Sequence, residues 1–238
     1  MATEQKLTPD EISERIVAAL GFVDDLHEEV RGLLRMILDT LQSSGLDPAV
    51  VSSLRGSGFK LPMPKRKSRS LRKKYQVHHR ALVVQLGAGE GDEDIPDEDD
   101  GDEQDNDADK KGIEFTPDST FIAVIVRLYE PDKARAKGFK PYVIGAYLKE
   151  FEFRYSAKSQ KAAHKGPTSA KLAKPQFLQV FWELEAGAKQ NDRLTCRVLR
   201  GHLSATIAEI ETRLLAEFDS EEKVKEFADA LVSMAESD

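Results

Sequence analysis

Apolar residues recur at alternating intervals of three and four positions near the start of the chain. They are Ile16, Ala19, Val23, Leu26, Val30, Leu33 and Ile37. This spacing is the heptad pattern of a helix that buries one face. Thr8, Pro9 and Glu11 form a capping-box sequence before it, and Gly45 follows the last apolar turn. The pattern therefore predicts a helix that begins at about Pro9 and ends near Ser43.

The heptad pattern leaves two roles open for this helix. β-branched residues at one heptad position and leucines at the other favour a two-stranded parallel coil, which indicates a homodimer or a partner helix. Leu20, Phe22 and Met36 widen the apolar face, as in a helix that packs on its own domain. A break at Gly21, where glycine disfavours the helix, would give a helical hairpin of two packed pieces instead of one long helix. The predicted partner-binding residues of the helix are Ile16, Val23, Leu26, Val30, Leu33 and Ile37.

Five later segments have the apolar patterns of β-strands, with a period of two in most of them. They are residues 80–86, 120–129, 142–155, 177–185 and 194–203. The third segment changes phase midway, which predicts a bulge near Lys149 and Glu150. No helical pattern separates the segments, so we expect antiparallel pairing.

Helical patterns return at the end of the chain. Residues 204–218 and 219–234 each carry one apolar stripe, and a shorter helix is predicted from Asp47 to Arg55. The predicted fold class is α+β, with an antiparallel sheet of about five strands backed by two C-terminal helices and preceded by a long N-terminal helix or helical hairpin. The predicted organisation is a helical arm (1–58), a basic connector (59–79) and an α+β domain (80–238) with a disordered acidic insertion (88–112).

The charged residues are not spread evenly along the chain but are concentrated in a few segments. The chain has 35 basic and 42 acidic residues, and 13 of the acids lie between residues 90 and 109 with no base among them. The remainder holds 35 bases and 29 acids and is net basic. The acidic segment, residues 89–109, has too little apolar surface to offset the entropy of ordering, so we predict a disordered loop. It is a solubilising spacer or a mask over a basic surface of the same molecule. A calcium site is a third alternative, but residues 99–102 lack the alternating ligands and terminal Glu of an EF-hand loop.

Two acid-free stretches are strongly basic: the basic arm, residues 65–80, and the basic loop, residues 154–174. Lys and Arg side chains displace counterions from nucleic acid of any sequence. The predicted nucleic-acid-binding residues are Lys65, Arg66, Lys67, Arg69, Arg72, Lys73, Lys74, Arg80, Lys158, Lys161 and Lys165. A solvated linker or an anionic membrane surface accounts for the same composition, and residues 64–67 also resemble a nuclear localisation signal.

If the predicted strands form a simple meander, the acidic segment and the basic loop lie at the same end of the sheet. In a meander, the chain leaves the strand before the acidic segment and the strand before the basic loop at the same end of the sheet. The basic arm would then join the sheet at the opposite end. We therefore expect the acidic segment to start beside the basic loop, where it could cover that loop when no other polyanion is bound.

One short motif resembles a known family. Residues 83–91, Val-Val-Gln-Leu-Gly-Ala-Gly-Glu-Gly, resemble the glycine-rich first motif of class I methyltransferases, in which the backbone approaches S-adenosylmethionine. The resemblance covers nine residues and implies an acidic residue at position 85 and a helix after the loop. The chain has Gln85 and a run of acids ending at Pro96 instead, and no βαβ unit follows. We therefore predict no methyl transfer, no enzymatic activity and no cofactor.

Cysteine and histidine offer no catalytic or metal site. Cys196 is the only cysteine, and it shares a predicted strand face with Leu194 and Val198, which indicates a buried, inert thiol. His202 lies near the end of a predicted strand and is expected at the edge of the core. We predict neither a metal ligand nor a catalytic residue.

Aromatic residues are concentrated in the third and fourth predicted strands. Phe177 and Phe181 have the strand phase opposite to Leu178 and Trp182. Either this second face is also covered, or it is an apolar patch for a partner. We predict that Phe177 and Phe181 bind a protein partner.

These patterns favour a non-enzymatic accessory or adaptor protein. It would assemble through the N-terminal helix and the aromatic face, with basic segments able to contact a polyanion. The alternative is a sequence-nonspecific nucleic-acid-binding protein that its acidic loop regulates. The chain shows no signal peptide and no apolar run long enough to span a bilayer, so we expect a cytoplasmic protein, or a nuclear one in a eukaryote, with no membrane insertion and no small-molecule substrate.

Overall fold

The computed structural model describes residues 8–56, 79–87, 112–128, 139–155, 170–198 and 201–237. In chain order, these residues form helix α1 (Pro9–Ser43), strands β1 (Pro48–Gly56), β2 (His79–Leu86), β3 (Gly112–Phe115), β4 (Phe121–Arg127), β5 (Tyr142–Tyr155) and β6 (Ala170–Ala173), helix α2 (Lys174–Phe177) with a 3-10 helix (Leu178–Glu183), strands β7 (Arg193–Val198) and β8 (Gly201–Leu214), a 3-10 turn (Leu215–Glu217) and helix α3 (Glu221–Glu236). The predicted α+β class is confirmed.

The main sheet has six described strands in the order β1-β2-β4-β5-β8-β7, and every neighbouring pair is antiparallel. Strands β3 and β6 form a separate two-stranded ribbon. Antiparallel pairing is confirmed, and the sheet has one strand more than predicted. The strand that carries the methyltransferase-like motif, β2, is antiparallel to both of its neighbours, so it is not part of a parallel βαβ unit.

Helix α1 begins and ends as predicted. The backbone N–H of Glu11 donates to Thr8 Oγ1 at 3.3 Å, and the backbone N–H of Thr8 donates to Glu11 Oε2 at 2.7 Å, which is a complete capping box. Gly45 has a φ of +81°, a conformation that glycine adopts without strain. The helix is continuous through Gly21, so it is one rod and not a hairpin.

The C-terminal half of α1 packs on its own domain. Val30, Leu33 and Ile37 are buried together with α3, over one face of β2, β4 and β5. These three residues therefore cannot form a seam with a partner helix, which corrects that part of the prediction. Leu26 is half-buried at the edge of this contact. The side chains of Ile16 and Val23 lie outside the described part of the structure.

The opposite face of the sheet is covered by α2 and its 3-10 helix. The rings packed there belong to Phe115, Phe121, Phe151, Phe177 and Phe181. Residues 177–185 were predicted as a strand, but apolar residues in both phases also suit a short helix that is buried on most sides. Phe177 and Phe181 are 0% and 1% exposed. No partner can reach them, so the prediction that they form a binding face is wrong.

Two further elements differ from the sequence prediction. Residues 201–214 form β8, whereas a helix was predicted from residue 204. Pairing with β5 on one side and β7 on the other overrides the helical spacing of the apolar residues of β8. Residues 48–56 form β1 and pair with β2, so they belong to the sheet and not to a separate helical arm. The last predicted helix is confirmed as α3.

The predicted bulge in β5 is confirmed. The register against β8 shifts between Lys149 and Glu152, and Glu150 has a φ of 55°. An extra residue reverses which face the following side chains occupy. As a result Phe151 and Phe153 enter the phenylalanine core, and the alternate residues of β5 lie on the other face of the sheet.

Candidate functional site

Polar residues cover one face of the sheet where β5, β8 and β7 lie side by side. They form three rows across the strands: Arg154, His202 and Arg197; Glu152, Ser204 and Thr195; Lys149, Thr206 and Arg193. We call these nine residues the basic face. They alternate along each strand with residues of the phenylalanine core, such as Leu203, Leu194 and Cys196.

The basic face is strongly asymmetric in charge. It holds one lysine, three arginines and one histidine, against a single carboxylate, Glu152. Directly paired residues in antiparallel strands have Cβ atoms about 5 Å apart. The outer row of Arg154, His202 and Arg197 therefore places three basic side chains across a width of about 10 Å. All three are exposed.

Glu152 lies at the centre of an ion-pair cluster. Arg154 donates from Nε to Oε1 at 2.5 Å and from Nη2 to Oε2 at 3.1 Å, and Arg193 also donates to Oε2. Arg193 donates in addition to Ser204 Oγ at 3.0 Å. The hydrogen bond from Arg154 lowers the pKa of the Glu152 carboxyl, and the same pair raises the pKa of Arg154. Glu152 is therefore ionised at neutral pH.

The remainder of the outer row is open. Within the described part of the chain, neither Arg197 nor His202 makes a hydrogen bond or an ion pair. Both side chains face solvent. An anion that approached this row would meet their donors first.

Arg80 does not belong to such a surface. It is 8% exposed, and its Nε donates to His27 Nδ1 at 3.3 Å, in a contact that joins β2 to α1. Because the guanidinium is enclosed between the sheet and the helix, Arg80 is not available to nucleic acid, which corrects that prediction. The other predicted nucleic-acid-binding residues lie outside the described residues: Lys65, Arg66, Lys67, Arg69, Arg72, Lys73, Lys74, Lys158, Lys161 and Lys165.

The prediction that the strand before the acidic segment and the strand before the basic loop leave the sheet at the same end is confirmed. Gln85 at the end of β2 pairs with Phe121, and Phe121 pairs with Leu148 of β5, so β2 and β5 leave the sheet at the same end. Residues 88–111 and 156–169 therefore start at that end. The basic arm joins β2 at the opposite end, beside Arg127. Arg154 of the basic face is also the first residue of the basic loop in the sequence.

Sequence reasoning missed Arg193 and Arg197. Neither lies in a run of like charges, and composition was the signal used to find basic sites. The detectable signal was the alternation of Arg193, Thr195 and Arg197 along one strand, which places all three on one face. Their neighbours on β5 and β8 follow only from the pairing register.

Cys196 is buried, and its thiol is expected to be unreactive. It is 6% exposed, and burial, followed by the charge of Glu183, raises the pKa of its thiol to about 11. At about pH 8 only about one thiol in a thousand is then ionised. We expect Ellman's reagent to leave the folded protein unmodified over an hour and to label one thiol per chain in guanidinium chloride. Rapid labelling of the folded protein would contradict both the burial and the raised pKa.

The described residues contain no cluster of three or more His, Cys, Asp and Glu that could hold a metal ion. None of the described helices has the length and apolarity needed to cross a membrane. Comparison with known proteins gave no match: no family model, no curated protein and no solved structure aligns significantly with the chain.

Proposed function

We propose that this protein binds nucleic acid without sequence preference and that the basic face is its contact surface. The observation that carries the proposal is the exposed row of Arg154, His202 and Arg197 across three adjacent strands. Arginine guanidinium groups bind phosphate through paired hydrogen bonds. A row of such groups suits the repeating phosphates of a nucleic-acid backbone.

The composition of the basic face supports contact with phosphates and not with bases. Its only ring-bearing side chain is His202, so it lacks the aromatic platforms on which bases stack. Backbone contacts position a protein on nucleic acid but carry no sequence information. The adjoining basic loop, with Lys158, Lys161 and Lys165, would extend the same electrostatic contact. A cytoplasmic or nuclear location accords with a single unpaired cysteine.

The test is fluorescence anisotropy with two mixed-sequence duplexes of unrelated sequence, at salt concentrations from about 50 to about 200 mM. We expect equal affinity for both duplexes and a fall of about 50-fold over this range, which corresponds to about three phosphate contacts. Arg154→Gln combined with Arg197→Gln should weaken binding at least tenfold at low salt.

The matched control removes the same charge elsewhere. Arg31→Gln combined with Arg35→Gln changes two arginines of α1 that are not part of the basic face, and should change affinity less than threefold. Equal losses in the two double variants would show that net charge, and not this surface, governs binding. Absence of duplex binding at low salt would refute the function.

A second function, assembly through α1, is supported by a separate observation. Val17 and Phe22 are 69% and 67% exposed on the N-terminal half of the helix. Seven of the eight residues from 16 to 23 are apolar, with Gly21 the exception, and two large apolar side chains exposed this close together are typical of a contact surface. Light scattering of the intact chain tests this function, since assembly requires at least twice the mass of 26.6 kDa.

A further inference from the structure

Glu152 occupies the place in the basic face where the densest set of donors converges. Its two carboxylate oxygens accept from Nε and Nη2 of Arg154 and from Nη2 of Arg193. Phosphate oxygens accept the same forked donation from guanidinium groups. The carboxylate therefore stands where a phosphate group of a bound polyanion would find its strongest partners.

We propose that Arg154, Arg193 and Ser204 form a subsite for one phosphate group and that Glu152 is its built-in competitor. The inference rests on the proposed function and deepens it. Arg197 and His202 make the first contact with a nucleic-acid strand, and the two arginines then exchange the carboxylate for a phosphate. Ser204 Oγ accepts from Arg193 Nη2 at 3.0 Å and donates to the backbone carbonyl of Glu152 at 3.5 Å, so it holds the Arg193 guanidinium in place at the floor of the subsite.

Exchanging the carboxylate for a phosphate requires little free energy because the ion pairs of Glu152 are exposed. The side chains of Arg154 and Arg193 are 73% and 48% exposed, and ion pairs in such settings contribute little to stability. The guanidinium groups can therefore change acceptors without disturbing the fold. A nucleic-acid phosphate also gains from neighbouring basic groups that the carboxylate does not contact, above all Arg197.

Glu152 cannot withdraw far from the subsite. Its backbone follows the bulge at Glu150 and pairs with Ser204 of β8, so its side chain leaves the sheet at a fixed point. The lowered pKa of the carboxyl keeps it charged at neutral pH. Even after the arginines have turned to the ligand, this negative charge stays within reach of the bound phosphate and weakens binding.

A different role for Glu152 predicts the opposite result. If the carboxylate only orients Arg154 and Arg193 for the ligand, then removing its charge should loosen both arginines and reduce affinity. If the carboxylate competes with the ligand, its removal should raise affinity. The sign of the change therefore decides between competition and positioning.

The experiment measures duplex affinity by anisotropy for Glu152→Gln and for Glu150→Gln. Both substitutions remove one negative charge, two residues apart, but the exposed Glu150 makes no ion pair within the described structure. We expect Glu152→Gln to bind about fivefold tighter, with a log–log salt slope steeper by about one. Glu150→Gln should stay within twofold of the unmodified chain. Equal effects of the two variants, or weaker binding by Glu152→Gln, would overturn the inference.

A second measurement keeps the inference testable if duplex binding fails. In Glu152→Gln, inorganic phosphate at millimolar concentration should shift the Nε–H resonances of Arg154 and Arg193, and it should not do so in Glu150→Gln. Shifts without duplex binding would support the subsite while refuting the nucleic-acid function. Duplex binding without any difference between the variants would refute the subsite alone.

Discussion

Gly145→Val is expected to lower the free energy of unfolding by about 3 kcal/mol, because β5 and α3 touch at this glycine. A Cβ at position 145 would lie 2.5 Å from Cδ2 of Leu231 and 2.7 Å from Cζ of Phe227. Both neighbours are fully buried, so neither can move aside into solvent. Glycine in a strand interior allows a helix to approach the backbone this closely. Urea denaturation followed by circular dichroism measures the change.

The same substitution at an open site is the control for Gly145→Val. Gly32 lies on the exposed side of α1, and apart from its chain neighbours and the backbone of its own helix, no atom lies within 4 Å of a Cβ built there. Gly32→Val should remain within about 0.5 kcal/mol of the unmodified chain. If Gly145→Val were equally harmless, α3 could not be packed against β5 at this point.

Phe177→Ala is expected to cost about 4 kcal/mol, since it empties the centre of the phenylalanine core. The Phe177 ring lies 5.1 Å from Phe115 and from Phe121, 5.5 Å from Phe181 and 5.7 Å from Phe151, measured between centroids. Truncation removes apolar burial together with four aromatic contacts. The shift of the urea midpoint at constant slope gives the loss.

Phe22→Ala is the matched control for Phe177→Ala because the residue types are identical and only burial differs. Phe22 is 67% exposed, so its loss should change stability by less than about 0.5 kcal/mol. A small effect at Phe177 would indicate that its ring is exposed, as the predicted partner-binding face required, and would contradict its burial in the core. A large effect at Phe22 at micromolar protein concentration would indicate that another surface covers it.

Local signals in the sequence were sufficient for some elements. Thr8 and Glu11 specify the start of α1 through their own hydrogen bonds, and Gly45 specifies its end through its backbone freedom. The bulge at Glu150 followed from a change of phase within one strand. In each case the residues that determine the structure lie within a few positions of one another, so no knowledge of the tertiary fold was needed.

Other elements depend on neighbours that are distant in sequence. In β8, Ile207 and Ile210 have a spacing that suits a helix as well as an irregular strand, and pairing on both sides with β5 and β7 decides the outcome. The helical segment with Phe177 and Phe181 is likewise fixed by a core to which β3, β4 and β5 contribute. No window of local sequence contains this information.

The candidate site was only partly predictable for the same reason. The sequence located charge by its density and so found the basic arm, the basic loop and the acidic segment. The basic face has no such density, because Arg154 and Arg197 stand 43 positions apart and meet only through the register of β5, β8 and β7. Conversely, Arg80 belongs to a dense basic run, but its side chain is buried and donates a hydrogen bond to His27.

Strand β7 is the last strand of the main sheet, so one of its edges has no partner strand within that sheet. Such edges recruit strands of other molecules and are a common origin of aggregates. Arg193 and Arg197 place two positive charges on this strand, and a second copy that docked edge to edge would bring four together. We therefore expect the arginines proposed above for ligand contact also to disfavour edge-to-edge self-association, and we expect neutralising them to lower solubility.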